Sequence, residues 1–257
     1  MRKLLFILFT ISILSVNAQG MLVLTEVETE SVSTFETVMN KWMGALKTTM
    51  EIDDARMIVF REQGSRNLIL AQWFDSLTDV VEHMDSQEAN NEKIMQAWES
   101  SDPLEEGTWE KFVEETDFKE NTVWEYMPEL STTPETYSPL SQEEKDEISY
   151  RRVQYFSVKI GQSDSFEANR KKFNEMDKSI GVKFHLAVFK SVFGARDADY
   201  MVILLDKSRF DYHSNWQARM KVRNDSEAWQ AAINNDNLGN WSVTGEANWN
   251  RIKSMTY

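Results

Sequence analysis

Cysteine is absent from this chain. That excludes disulfides, thiolate metal sites, a cysteine nucleophile and lipid attachment at a processed N-terminus. Histidine is scarce, with only His83, His185 and His213 in 257 residues. There is no HExxH, no histidine pair at i and i+4 and no calcium-loop pattern, so the sequence offers no metal site. A G-x-S-x-G elbow, a P-loop and a dinucleotide fingerprint are also missing, which sets aside hydrolase, kinase and Rossmann chemistry. Basic charge is short: 28 Lys+Arg stand against 42 Asp+Glu, a formal net charge of −14. A nucleic-acid partner needs clustered positive charge and is not expected. No apolar run reaches the roughly 20 residues of a membrane span.

What is present begins with an N-terminal targeting pattern. Arg2 and Lys3 precede a thirteen-residue apolar run, Leu4 to Val16, and Val16-Asn17-Ala18 supplies the small residues of a signal-peptidase site. The expectation is a signal peptide over 1–18, cleavage near Ala18, and an exported mature chain of 239 residues that is periplasmic or secreted.

Charge is unevenly spread. Residues 21–150 carry 9 Lys+Arg and 30 Asp+Glu, whereas residues 151–257 carry 17 and 12. Such asymmetry could orient two halves against each other. Between them, Pro128, Pro134 and Pro139 fall within twelve acidic and polar residues, marking a linker over 128–150. The flanking segments, 19–127 and 151–257, read as two copies of one pattern. A shift of 131 takes Phe35 to Phe166, Asp75 to Asp206 and Trp98 to Trp229; a shift of 132 takes Trp109 to Trp241; Trp124 and Trp249 form a third pair. Within copy one, Ser33 with Glu36 reads as a capping box opening a helix that carries Phe35, Val38, Met39, Trp42, Met43 and Leu46 at helical spacing.

Each copy reads β-α-β-β-α-β, the ferredoxin-like unit. The runs NLILAQWF (67–74) and YMVILL (200–205) are almost wholly apolar, so both faces of those strands should be covered. Helices can cover one face; a second sheet must cover the other. The expected fold is therefore α+β, two tandem ferredoxin-like repeats closing into an intramolecular α+β barrel, a pseudo-dimer within one chain that is monomeric or pairs further as a homodimer.

With that order on the page, AQWFDSLTDVVEHMDSQEA (71–89) resembles the antibiotic-biosynthesis-monooxygenase type of domain in the dimeric α+β barrel superfamily. The matching residues are Trp73 ending a strand, Asp75 after it, and His83, Met84 and Ser86 on the next helix. Copy two departs from this: Leu205 stands near the place of Trp73, and Ser214 falls at the register position of His83. The resemblance implies a pocket between sheet and helices. It includes cofactor-free oxygenases, haem-binding proteins, isomerases and binding proteins, and does not choose among them.

The candidate residues follow. His83 would position substrate or move a proton, aided by a pKa near neutrality. Trp73, Trp42 and Trp216, the tryptophans without a repeat partner, would line an aromatic pocket, and His185, on an apolar strand, would face into it. The acidic runs EEGTWEKFVEE and QEEKDE read as solvated surface. The expected partner is a small apolar or aromatic molecule, with no cofactor called for. The protein is then either a cofactor-independent monooxygenase or a binding protein that keeps the fold without the chemistry.

Overall fold

The computed structural model describes residues 20–52, 55–132, 141–195, 197–235 and 240–257. The signal segment 1–18 and the middle of the linker, 133–140, lie outside these. Eight antiparallel strands close into one barrel in the order β1-β3-β2-β8-β5-β7-β6-β4. They are β1 (Met21–Thr29), β2 (Met57–Glu62), β3 (Asn67–Phe74), β4 (Thr116–Tyr126), β5 (Tyr150–Val158), β6 (His185–Phe193), β7 (Tyr200–Asp206) and β8 (Trp241–Thr256). The helices are α1 (Val32–Met50), α2 (Leu77–Ala89), α3 (Asn91–Ser100), α4 (Thr108–Glu115), α5 (Gln142–Glu147), α6 (Ser163–Ser179), α7 (Arg209–Asn224) and α8 (Glu227–Asn235). The barrel belongs to one chain, and the segments before and after the linker each contribute four strands.

Strand alternation fixes what lies inside. Leu22, Leu24, Phe60, Ile69, Ala71, Trp124, Val153, Phe189, Met201, Ile203, Ala247 and Trp249, drawn from all eight strands, form the interior core. The intervening residues face outward to helices. Leu68 and Leu70 meet Phe35, Val38, Met39 and Leu46 of α1, while Val202 and Leu204 lie in a second outer core with Phe166 of α6 and Tyr212 of α7. The continuous apolar runs of β3 and β7 are thus explained: one parity fills the barrel and the other packs on helices. Each fully buried Leu, Ile or Phe is worth about 1.5–3 kcal/mol.

Several local expectations need correction. Helix α1 starts earlier than Ser33. Ser31 is its cap, in extended conformation, accepting the Thr34 amide at 3.3 Å, so Ser33 and Glu36 lie inside the helix. The run EEGTWEKFVEE is not merely solvated surface. It forms α4, and Phe112 is buried against Phe35 with ring centroids 5.9 Å apart. The matched tryptophans Trp109 and Trp241 are not equivalent in structure: the first lies on α4, the second begins β8. The start of the linker is also not loose. Leu130, Ser131 and Thr132 are buried, Thr132 pairs with Leu186, and Asn174 donates to the Leu130 carbonyl at 2.6 Å. In QEEKDE, α5 carries a capping box between Ser141 and Glu144.

The polar core of the second segment is an ion pair. Arg223 of α7 donates twice to Asp177 of α6, at 2.8 and 2.6 Å, and its guanidinium stands 4.7 Å above the Trp229 ring.

Candidate functional site

The two barrel ends differ. At one end Trp73, Tyr126 and Phe189 plug the interior, with centroids 5.5–6.1 Å apart in edge and tilted contacts. A Cβ on Gly20 would sit 2.4 Å from the Trp73 ring, so a larger residue would have to push that ring from its seat. Beside Trp73 a shallow hollow of about 340 Å³ also touches Ile58, Asp75 and Tyr257, rimmed by an exposed Arg56–Asp75 ion pair at 3.1 Å.

The other end is open. A cavity of about 360 Å³ enters the barrel there, with walls from several strands and the β6–β7 turn. Trp124, Trp249 and Tyr155 are its aromatic wall, and Leu24 and Ile69 add aliphatic surface. Trp124 is held by a hydrogen bond from its indole N–H to Thr122 Oγ1 at 2.8 Å and packs tilted on Tyr155 at 6.0 Å. Gly245 opposite lets the Tyr155 ring approach: a Cβ there would meet Cδ2 at 3.3 Å. The turn that shapes the rim depends on Gly194, which has φ +82° and whose Cβ would strike the Asn121 carbonyl at 2.4 Å.

The charged groups described at this mouth are acidic. Glu26, Glu62, Glu120 and Asp197 line it, and among the described lining residues none is Lys or Arg. The Asn67 side-chain amide donates to Glu26 Oε1 at 2.7 Å and Glu62 Oε2 at 3.2 Å, tying two carboxylates together. Burial, and then the charges of Glu62 and Glu120, raise the Glu26 pKa above the usual carboxylate value. Burial, then the same Glu62 and Glu26 carboxylates, raise that of Tyr155 well above an ordinary phenol.

The sequence candidates are dispersed. Trp73 and Asp75 share the shallow hollow, but His83 does not join them. Consecutive strand residues face opposite sides, so Trp73 points into the barrel and Phe74 points out. The His83 ring lies 5.2 Å from Phe74, with Nε2 2.7 Å from the Gln87 amide nitrogen. Burial lowers the His83 pKa and favours neutral imidazole. His185 begins β6 on the parity of Ala187 and Phe189, hence on the barrel side, opposite Leu205. Trp42 packs against Trp98 at 6.1 Å in the outer helical layer, and Trp216 stacks on Tyr212 at 6.3 Å near the surface of α7. His83, His185, Trp42 and Trp216 all lie outside the lining of the open mouth.

The helix caps also change the alignment between the two segments. Ser76 caps α2 and Ser208 caps α7, a shift of 132, which sets Asn215 rather than Ser214 opposite His83 and Asp206 opposite Phe74. Asn215 donates to Asp206 at 3.0 Å, occupying the place of the His83–Phe74 contact.

The residues sequence reasoning missed are Glu26, Glu62 and Tyr155. Their signal was present: Glu26 continues the interior parity of Leu22 and Leu24, and Glu62 that of Ile58 and Phe60.

No family model matches the sequence, and no curated protein does. Solved structures do. An anthrone oxidase-like protein aligns at TM-score 0.51 with 13% identity, over 91% of this chain and 92% of its own. A protein provisionally described as a monooxygenase, from Fusobacterium nucleatum subsp. nucleatum, aligns at TM-score 0.51 with 8% identity, over 92% and 93%. A heme-binding protein from Thermus thermophilus aligns at 0.48 with 9% identity, over 93% and 94%. Likeness at such identity is likeness of fold: this chain has the dimeric α+β barrel fold, closed within a single polypeptide.

Proposed function

We propose that this protein is an exported binding protein that takes a small molecule with an aromatic or apolar body into the open mouth of its barrel. The observation that carries the reading is the cavity of about 360 Å³, a size suited to a small ligand, walled by Trp124, Trp249 and Tyr155. The hollow beside Trp73 is the weaker candidate, since only seven residues form it and an ion pair crosses its rim.

The same reading holds the chain to be a tandem of two ferredoxin-like units. In its favour, the closed order splits into 4-1-3-2 and 8-5-7-6, one lateral pattern used twice. Phe35 and Phe166 are buried at matching places on α1 and α6, and Trp124 and Trp249 both stand in the interior core.

A haem does not fit the mouth. Among the described residues no histidine lines it, burial and the nearby carboxylates hold the Tyr155 phenol protonated and so a poor iron ligand, and those carboxylates would repel the propionates. A cofactor-free oxygenase using Trp73 and His83 would have to work across a strand, because Trp73 faces the barrel and His83 packs against the outward Phe74.

The test is ligand retention. Native mass spectrometry of the chain purified under gentle conditions is expected to show an adduct of small-molecule mass. Thr244→Trp, an exposed rim residue whose enlargement closes the mouth, removes it; His83→Ala and Trp73→Ala leave it. Loss on His83→Ala or Trp73→Ala, with Thr244→Trp silent, would replace this reading with a site near the plugged end. Export is checked by N-terminal sequencing of the secreted or periplasmic fraction, which should begin at Gln19.

A further inference from the structure

Resting on the mouth as the ligand site, we propose that its ligand is an organic cation: an ammonium group on an aromatic or apolar body. The aromatic wall suits this class in two ways. It covers an apolar body, and the ring faces attract a positive centre within about 6 Å. Among the described residues the charges of the polar side have one sign. Glu26 and Glu62 are tied by Asn67, and the lining supplies no described cation to answer them. Lys119, the cation acting on Glu26, is held outside the mouth by Glu28 at 2.9 Å and Asp117 at 2.5 Å.

A second feature is independent of the carboxylate pair. Tyr155 belongs to the cavity wall, and burial is the main influence on its hydroxyl, ahead of the field of Glu62 and Glu26. That hydroxyl makes no hydrogen bond among the described residues. The oxygen stands on the cavity wall with no partner among the described residues, so a ligand in the mouth can pair with it. An ammonium N–H can donate to that oxygen while its charge faces the two carboxylates. The raised Glu26 pKa reflects burial and like-charge crowding, and a cation relieves the second. An anion meets the opposite field and is excluded. A bare metal ion is a poor occupant: among the described residues no three His, Asp or Glu side chains come together as a metal site, whereas the cavity has room for a molecule of many atoms.

The probes are 2-phenylethylamine, the neutral 2-phenylethanol and the anionic 3-phenylpropionate, titrated calorimetrically into the full chain at pH 7. The amine should bind at least ten-fold tighter than the alcohol, and the acid should not bind. Glu26→Gln with Glu62→Gln, which keeps shape and hydrogen-bonding capacity, should bring amine and alcohol to parity. Tyr155→Phe should weaken the amine and spare benzyltrimethylammonium, which has no N–H. Equal affinity for amine and alcohol in the native chain, with both lost in Thr244→Trp, overturns the cation assignment and leaves the mouth as the ligand site. Amine binding untouched by Thr244→Trp overturns both. Circular dichroism on each variant separates loss of binding from loss of fold.

Discussion

At the scale of the residue, burial sets the behaviour of the groups that matter. His83 sits against Phe74, and burial lowers its pKa from the usual 6.5. Folding therefore favours neutral imidazole, and the unfolded chain binds the proton first. This contribution to stability is full above pH 6.5 and declines as pH falls from there toward the folded-state pKa. An NMR titration should place His83 below 6.5, and denaturant melts of His83→Gln should lose that part of the acid sensitivity. Glycine matters at two points for different reasons. Gly194→Ala meets both a positive φ and the Asn121 carbonyl, and should cost about 1–3 kcal/mol in urea unfolding. Gly20→Ala should instead displace the Trp73 ring, read as a shift of its fluorescence with less effect on stability. That His83 and Trp73 would part company was not visible from their spacing. Ten residues cross a turn between a strand and a helix, and whether two such side chains meet depends on which strand parity faces inward.

At the scale of the element, periodicity carried most of the information. The unbroken apolar runs NLILAQWF and YMVILL foretold strands covered on both faces, and α1 was legible from its apolar stripe. Its start was not, because Ser31, Ser33 and Thr34 all offer a hydroxyl within one turn and only the path of β1 selects among them. Ser31→Ala should therefore cost about 1 kcal/mol of thermal or chemical stability, and Ser33→Ala almost nothing. Helix α4 was hidden by its charge: glutamates surround Trp109 and Phe112, yet Phe112 inserts under α1. Phe112→Ala should cost about 3–5 kcal/mol, far more than any surface substitution. Beneath α6 and α7, Asp177→Ala would strand Arg223 without its partner in a dry site, and should destabilise by about 3–5 kcal/mol.

At the scale of the whole molecule, the barrel makes one chain do what two paired sheets require. Ladders join its two segments at β2–β8 and β4–β6. The charge asymmetry between the segments finds its clearest expression elsewhere. Lys119 pairs with Glu28 and Arg66 with Glu30 in the acidic segment, and Lys190 with Glu167 and Arg223 with Asp177 in the basic one, while α5 joins the two through Glu147 to Lys207 and Asp146 to Arg251. What the acidic segment supplies instead is one side of the open mouth, with Glu26, Glu62 and Glu120 arriving from three strands. No motif search finds such a set, because its members are 36 and 58 residues apart and meet only when the barrel closes.

The measurement that tests the central claim most directly is heteronuclear NMR of the tryptophan indole N–H groups during titration with 2-phenylethylamine. The account predicts that the signals of Trp124 and Trp249 move together, while those of Trp42, Trp98 and Trp216 stay fixed. Movement confined to Trp73 or Trp42, with Trp124 and Trp249 unchanged, would contradict it and place the ligand outside the mouth.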